Sequence, residues 1–166
     1  MKIIAIAAVD LENRIGDSGL MWHLRDDMKF FKTMTTNSVV IMGRKTFETL
    51  NCKPLPNRKN IVITSSPEKL HDKVDQFSDI ESAIKALKSS LNPDDNVFII
   101  GGASIYEQTK HIWDQVYLTK VETLIDGQLK FPQIDFGMWE ISLLKQVERD
   151  ENNEHPFGIF HYVKLL

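Results

Sequence analysis

One acidic residue lies among apolar residues at helical spacing, where a carboxyl group could do acid–base chemistry. Asp27 precedes Phe31 by four residues, so on a helix the two side chains share a face, bordered by Leu24 and Met28. A carboxylate is costly to bury unless a partner stabilises it, which makes Asp27 a candidate for ligand binding or proton transfer. Acidic residues are also common in the first turn of solvated helices, and neighbouring Asp26 fits that alternative. The spacing alone leaves both interpretations open.

Glycines and hydroxyl side chains follow three apolar runs, at positions that suit a bound anion. The segments are Gly43-Arg44-Lys45-Thr46, Thr64-Ser65-Ser66, and Gly101-Gly102-Ala103-Ser104, the last opening a helix through Tyr106 and Gln108. Backbone N–H groups at helix N-termini bind phosphates, although each segment alone could be a helix cap or a tight turn. Ligands of open α/β sheets bind at the carboxyl ends of strands. The three segments together therefore predict a site for a dinucleotide, including one with an additional phosphate.

A loop rich in proline and cations spans residues 53–60 and begins with Lys53. Its prolines reduce the conformational freedom that binding would have to remove. Arg58 could offer its planar guanidinium to a carboxylate. The alternative, an ordinary cationic surface loop, is equally compatible with the residues.

Alternating strands and helices must position these residues. Residues 3–9, 39–42, 61–64 and 97–100 are apolar on both faces, as expected for strands that helices cover on both sides. Helical periodicity occurs around residues 24–31 and 80–87, where Ser78 and Glu81 fit a capping box ahead of the second stretch. This alternation predicts a largely parallel sheet. Residues 116–121, 140–147 and 157–165 are strand-like, and the polar turn at 148–154 predicts an antiparallel hairpin at the sheet edge.

Composition limits the classes of function. The chain has 166 residues and a net charge of -3, which argues against a general nucleic-acid binder. The single cysteine, Cys52, excludes an intrachain disulfide and a cysteine-based zinc site, and the five histidines lack the spacing of metal ligands. The apolar run at residues 3–9 is too short to span a membrane, and no targeting signal follows it. We expect a single cytoplasmic domain over residues 1–166, without a metal.

Short motifs along nearly the whole chain resemble those of the dihydrofolate reductase family. They occur in the family's order from residue 3 to about residue 162, and the ordered series is far more specific than any one member. The motifs are Ile6-Ala7-Ala8, Ile15-Gly16, Trp22, Asp27, Phe31-Lys32, Ile41 to Glu48, Pro54 to Arg58, Ile100-Gly101-Gly102, Tyr106, Tyr117-Leu118-Thr119, Phe131-Pro132 and Trp139-Glu140.

The resemblance implies a fold and a reaction. The fold would be a three-layer α/β domain, with a predominantly parallel eight-stranded sheet, an antiparallel C-terminal edge hairpin and about four flanking helices. The reaction would be the NADPH-dependent reduction of 7,8-dihydrofolate to 5,6,7,8-tetrahydrofolate in one-carbon metabolism, by hydride transfer to C6 and protonation at N5. We expect a monomer that binds neither nucleic acid nor membrane, with antifolates as inhibitors.

The resemblance also implies residue roles. Asp27 would bind the pterin and support protonation at N5, with Thr119 in the same network and Trp22 positioning a water molecule. The substrate would contact Ile6, Ala7, Ala8, Met28, Phe31, Leu50, Leu55, Ile100 and Tyr106, with Arg58 pairing with the glutamate α-carboxylate and Lys32 and Lys53 adding charge. The nicotinamide and its ribose would lie near Ala8, Ile15, Gly16, Ser18, Gly19 and Leu20. The adenosine side with its 2′-phosphate would contact Gly43, Arg44, Lys45, Thr46, Thr64, Ser65 and Ser66. The pyrophosphate would contact Ile100, Gly101, Gly102, Ala103, Ser104, Ile105, Tyr106 and Gln108.

The sequence departs from the family pattern at four places. Met21 stands where proline usually precedes the tryptophan, and the loop before it is one residue short. Gln128 replaces the usual acid, Asn51-Cys52 replaces a single glycine, and Ala103 replaces a third glycine. The first two departures concern the loop that closes over the site.

Two other functions fit the same fold. A non-catalytic or structural protein could hold folate or NADPH without turnover, but Asp27, Trp22 and Thr119 are all present, which argues against it. A related reductase could act on another pterin or on a flavin precursor. Arg58 and Phe31 instead favour a folate that carries a glutamate.

Overall fold

The computed structural model describes residues 1–16 and 21–166, which form eight β-strands and four α-helices. The strands are β1 (Lys2–Val9), β2 (Val39–Gly43), β3 (Lys59–Ile63), β4 (Val74–Phe77), β5 (Asn96–Ile99), β6 (Gln115–Val121), β7 (Trp139–Val147) and β8 (Phe157–Lys164). The helices are α1 (Arg25–Thr35), α2 (Arg44–Thr49), α3 (Ile80–Lys88) and α4 (Ala103–Thr109), with short 3₁₀ helices at Lys110–Ile112 and Phe136–Met138.

The strands form one mixed sheet in the order β4-β3-β2-β5-β1-β6-β8-β7. All pairs from β4 to β6 are parallel, whereas β8 runs antiparallel to both β6 and β7. The predicted parallel sheet with an antiparallel C-terminal edge hairpin is confirmed. The six parallel strands form five parallel pairs, which require crossover connections. The four helices lie in four of the connections, whereas the segment from β3 to β4 contains no helix.

Alternate residues of the central strands face two separate apolar layers. Ala5 of β1 belongs to a cluster that contains Ile84 of α3, on one face of the sheet. Ile6, the next residue, belongs to a cluster on the other face that contains Phe47 of α2, and Phe31 of α1 packs against it. Because side chains alternate along a strand, strands that are apolar throughout bury both faces and give three layers.

Two local features differ from the sequence-based expectation. The runs of apolar residues did not reveal β4, because Asp75 and Gln76 make this edge strand partly polar. The capping box of Ser78 and Glu81 was wrong: Asp79 is the N-cap of α3, and its Oδ1 accepts a hydrogen bond from the backbone N–H of Ser82 at 2.7 Å. An aspartate in extended conformation caps as well as a serine, so the helix begins one residue later than the box implies.

The carboxyl ends of the parallel strands meet along one edge of the sheet. β1 ends at Val9, β2 at Gly43, β3 at Ile63 and β5 at Ile99, all pointing in the same direction. The anion-binding segments predicted from the sequence follow three of these ends. Within the described residues, no helix combines the length and apolar character needed to cross a membrane.

Candidate active site

A buried hydrogen bond joins the first turn of α1 to β6. Thr119, which is 3% exposed, donates its hydroxyl to Oδ1 of Asp27 at 2.6 Å. Burial raises the pKa of the Asp27 carboxyl to about 6, even though the hydrogen bond from Thr119 opposes that rise. Asp27 is therefore both a first-turn acid and a desolvated carboxyl with a specific partner, so the two interpretations open at the sequence level are compatible. A carboxyl with this pKa can hold or release a proton near neutral pH.

An apolar wall lies beside this pair on the same face of the sheet. Phe31, Leu50, Leu55 and Ile100 are partly buried and pack against the cluster that contains Ile6. They come from α1, from the end of α2, from the following loop and from the end of β5, so the fold brings together residues that the sequence separates. Such a wall excludes water and suits a flat aromatic ligand.

Other predicted site residues occupy distinct positions. Met28 is 46% exposed and lies at the rim, while Ala7 and Ala8 on β1 are half-buried. Tyr106 packs on the opposite face of the sheet, where its hydroxyl donates to the carbonyl of Ile6 at 2.7 Å. Tyr106 thus fixes β1, whose Ile6 belongs to the cluster that the wall packs against.

Trp22 forms part of a third apolar cluster next to the pair. Its side chain is buried with Leu24 and with residues of β6 and β8, and Ala8 packs against the same cluster. Ser18, Gly19 and Leu20, predicted to contact a cofactor, lie outside the described residues. On the near side of that gap Gly16 is half-buried and Ile15 is buried, with its backbone N–H donating to the carbonyl of Leu129 at 3.0 Å.

Arg58, in the proline-rich loop, is held in place by the end of α1. Arg58 donates through Nη1 to Oγ1 of Thr35 at 3.0 Å and through Nε to the carbonyl of Pro56 at 2.9 Å. Buried Asn60 closes the loop: its side chain accepts from the backbone N–H of Leu55 and donates to the carbonyls of Leu55 and Arg58. The guanidinium is oriented before any ligand arrives. Lys32 and Lys53 are exposed.

Two glycine turns approach each other at the ends of β2 and β5. The backbone N–H of Gly43 donates to the carbonyl of Gly101 at 2.9 Å, and the Gly101–Gly102 peptide bond is cis. Gly101 has a φ of +124°, which favours glycine, and a Cβ on Gly101 or Gly102 would lie 3.5 Å from the Thr46 hydroxyl. A Cβ on Gly43 would meet Ile105 at 3.1 Å, so α4 packs closely on this turn. The backbone of this turn thus lies close to the Thr46 hydroxyl, with no side chain between them.

The remaining predicted cofactor contacts border these turns. Arg44 is partly exposed and its Nε lies 3.1 Å from Oε1 of Glu48, while Lys45 is exposed. Thr64 accepts a hydrogen bond from the backbone N–H of Ser66 at 3.2 Å. The other predicted positions share the same edge of the sheet: Ser65 and Ser104 are exposed, Ala103 is half-buried, and Gln108 donates to the Ser104 hydroxyl at 2.8 Å.

Sequence reasoning missed a second buried carboxylate, Asp10, directly after β1. It accepts hydrogen bonds from the backbone N–H groups of Glu12, Arg14 and Ile125 at 2.8–3.0 Å. Burial alone would raise the pKa of Asp10, but these donors and the Arg14 guanidinium outweigh it and hold the pKa below the ordinary value. Asp10 therefore ties the loop after β1 to the segment after β6. Its position at the end of an apolar run was the only available signal.

Three of the residue departures from the family pattern are exposed, at Met21, Asn51-Cys52 and Gln128, whereas Ala103 is half-buried. Asn51 and Cys52 have φ values of 57° and 53°, so two consecutive residues adopt the left-handed conformation where the family commonly has one glycine. Among the described residues, no three histidine, cysteine, aspartate or glutamate side chains are grouped so that they could hold a metal ion.

Comparison with known proteins shows matches over nearly the whole chain. A family model described as dihydrofolate reductase matches residues 2–164. The dihydrofolate reductase of Bacillus subtilis is 37% identical over 160 residues, covering 96% of this chain and 92% of the relative, and that of Staphylococcus aureus is 34% identical over 165 residues, covering 99% of each. A solved structure of the dihydrofolate reductase from Enterococcus faecalis, complexed with NADP(H) and RAB-propyl, covers 98% of this chain and 96% of its own, with a TM-score of 0.89 at 33% identity.

Proposed function

The chain belongs to the dihydrofolate reductase family, and we propose that the Asp27–Thr119 pair carries the proton chemistry of its reaction. The protein is an NADPH-dependent oxidoreductase that reduces 7,8-dihydrofolate to 5,6,7,8-tetrahydrofolate. This reaction adds a hydride to C6 of the pterin and a proton to N5. The protein must therefore bind the pterin, exclude water from the hydride path and manage one proton.

The observation that carries the proposal is a carboxyl of raised pKa beside an apolar wall. Asp27 would accept hydrogen bonds from the 2-amino group and N3 of the pterin while Thr119 holds its Oδ1. With its pKa at about 6, the carboxyl is close to the working pH, where proton transfer is most efficient. Phe31, Leu50 and Ile100 would keep the ring dry. Trp22, buried at the side of this pocket, would position the water that relays the proton to N5.

Arg58 would select the folate by its tail. Because Thr35 and Pro56 already orient the guanidinium, little order has to be gained when a carboxylate binds. The exposed Lys32 and Lys53 would add positive charge near the glutamate. A pterin without a glutamate would leave this arginine without a role, which favours dihydrofolate over other pterins.

The residues at the carboxyl edge of the sheet fit NADPH. Gly43 and Gly102 are the N-cap residues of α2 and α4 and have no side chains, so the first N–H groups of both helices are available to phosphate oxygens. Thr46, Thr64 and the cations Arg44 and Lys45 would hold the adenosine side with its 2′-phosphate. When bound, NADPH supplies the hydride. Ala8 and Ile15 would border the nicotinamide, together with Gly16 and the residues that follow it.

A non-catalytic protein of the same fold is not favoured, because such a protein would have no need for a desolvated acid. Burying a carboxyl costs stability, so a buried carboxyl is retained mainly where the function of the protein uses it. We further propose that residues 1–166 form one domain that acts as a monomer in the cytoplasm. In support of one domain, the eight strands of the described residues form one sheet. We also propose that antifolates bind in the same pocket.

The direct test is NADPH oxidation with dihydrofolate, followed by absorbance, for the wild type and for Asp27→Asn. We expect turnover in the wild type and a loss of at least about tenfold at neutral pH in the variant, since asparagine cannot hold the proton. Circular dichroism of both proteins controls for folding. Equal rates in the two proteins would refute the role of Asp27, and a wild type that binds NADPH without turnover would support the non-catalytic alternative.

A further inference from the structure

The turn between β7 and β8 lies against the helix that carries the acid. Asn153, in the middle of this polar turn, is 1% exposed, although asparagine is usually a surface residue. Its Nδ2 donates to Oδ2 of Asp26 at 2.9 Å and to Oδ1 of Asp150 at 3.0 Å. Its Oδ1 accepts from the backbone N–H of Asp26 at 3.2 Å. Two of these three hydrogen bonds bind the first turn of α1, and the third holds the amide within its own turn.

Backbone hydrogen bonds reinforce the same contact. The N–H of Arg25 donates to the carbonyl of Asn152 at 3.0 Å, and the N–H of Glu154 donates to the carbonyl of His23 at 3.0 Å. The chain on both sides of Asn153 is therefore fixed to the chain on both sides of the helix start. The two partners are 127 residues apart in sequence.

This contact replaces an ordinary helix cap. The first N–H groups of a helix need acceptors, and a serine, threonine, aspartate or asparagine just before the helix usually provides one. In α1 the N-cap is Leu24, whose apolar side chain cannot accept a hydrogen bond. The acceptors come instead from the turn: the Asn152 carbonyl for Arg25 and the Asn153 side chain for Asp26.

The first turn of α1, which the β7–β8 turn caps, also carries Asp27. Asp27 directly follows Asp26, and its hydrogen bond with Thr119 of β6 requires the helix start to lie at one distance from the sheet. We propose that Asn153 is a positioning residue for Asp27, which holds the first turn of α1 so that the acid meets Thr119 and the substrate. This inference rests on the proposed role of Asp27 in the reaction.

The charges around this turn define the controls. Arg25 and Asp26 lie on α1 itself, Asp150 and Glu154 lie in the opposing turn, and His23 precedes the helix. On the β6 side, Asp27 meets the uncharged hydroxyl of Thr119. A substitution that removes only the amide of Asn153 therefore tests positioning without a change in formal charge.

The test compares Asn153→Ala with Asn152→Ala and follows kcat against pH. Asn152 lies in the same turn, and its side chain makes only an exposed 3.3 Å contact with Arg25, so Asn152→Ala should match the wild type. We expect Asn153→Ala to lower kcat at pH 7 by about tenfold, since small misplacements of a reacting group are costly. We also expect a higher pH midpoint, as in Thr119→Val, where the hydrogen bond that opposes protonation is lost.

The double variant Asn153→Ala/Thr119→Val separates positioning from general destabilisation. If Asn153 acts through the Asp27–Thr119 contact, the midpoint of the double variant equals that of Thr119→Val alone. An unchanged or lower midpoint in Asn153→Ala, or additive midpoint shifts in the double variant, would overturn the proposal even if the melting temperature falls. A wild-type pH profile in Asp27→Asn would instead overturn the proposed role of Asp27.

A second pair of variants serves if Asn153→Ala does not fold. Asp26→Asn and Asp26→Ala both remove the charge beside Asp27, but only asparagine keeps an oxygen that can accept from Asn153. We expect kcat of Asp26→Ala to lie about threefold below that of Asp26→Asn, since one of the three side-chain hydrogen bonds is lost. Equal kcat values in these two variants would overturn the proposal.

Discussion

The buried carboxyl of Asp27 should make the protein less stable at high pH than it would be with a neutral side chain. The pKa of this group rises from its ordinary value of 3.8 to about 6 on folding, because burial disfavours the charged form. A group whose pKa is higher in the folded state lowers stability once it ionises. The cost is absent below pH 3.8, grows between 3.8 and about 6, and is complete above that range.

Asp27→Asn should therefore raise the free energy of unfolding at pH 8 and leave it nearly unchanged at pH 4. A shift of about two pH units corresponds to about 3 kcal/mol, which is the upper limit of the gain. Asparagine keeps a side-chain oxygen that can accept from Thr119, so that hydrogen bond is weakened but retained. We expect a net gain of about 1–3 kcal/mol at pH 8.

Urea unfolding followed by circular dichroism, at pH 4 and at pH 8, measures this difference. Ligands are omitted, because any that binds the folded state would change the apparent stability. Asp26→Asn is the matched control: it removes a neighbouring charge from the same helix turn without touching Thr119, and the helix dipole predicts a loss of about 0.3–1 kcal/mol for it. A gain in Asp27→Asn that is equal at both pH values, or a loss at pH 8, would refute the reasoning.

Three further predictions concern ligands and backbone. Arg58→Leu should raise KM for dihydrofolate at least about tenfold with little change in kcat, because its contact is made equally in the ground and transition states; a fall in kcat alone would contradict this. Gly101→Ala should lower the free energy of unfolding by about 1–3 kcal/mol in urea titrations, since its φ of +124° strains any other residue. Gly102→Ala, whose added Cβ has room beside Thr46, should cost stability less but weaken NADPH binding, measured by fluorescence titration; unchanged affinity would argue against a pyrophosphate at this turn.

Much of the fold could be predicted from hydrophobic pattern because the central strands are buried on both faces. Val40 and Ile41 face opposite layers and are both fully buried, so this stretch had to be a covered strand. β4 was missed because an edge strand needs few apolar residues, and Asp75 is exposed there. Ser78 was preferred to Asp79 as the helix cap because the box pattern matched it, although either residue could serve.

The sequence proposed candidate residues for the site but not the contacts between them. The resemblance identified the family, which the comparisons confirm. The partner of Asp27 lies 92 residues away, so helix periodicity could not reveal that its carboxyl is buried. The same holds for Asp10, which accepts a hydrogen bond from the backbone N–H of Ile125. It also holds for Asn153, which in the sequence looks like any other polar residue of a polar turn but binds Asp26. In each case the partner is distant in sequence, and local pattern carries no information about it.

The environment of the Asp27 carboxyl therefore depends on segments that are far apart in sequence. Its helix contributes Asp27 and part of the apolar wall, but β6 supplies the Thr119 hydroxyl, and the β7–β8 turn supplies the helix cap. Burial, which raises the pKa to about 6, requires the assembled sheet, since a solvated helix would leave the carboxyl ionised at neutral pH. It follows that partly folded forms of the chain lack the raised pKa of Asp27 on which its proposed role depends. Turnover should appear only after the C-terminal hairpin has docked on α1, and Asn153 lies at that contact.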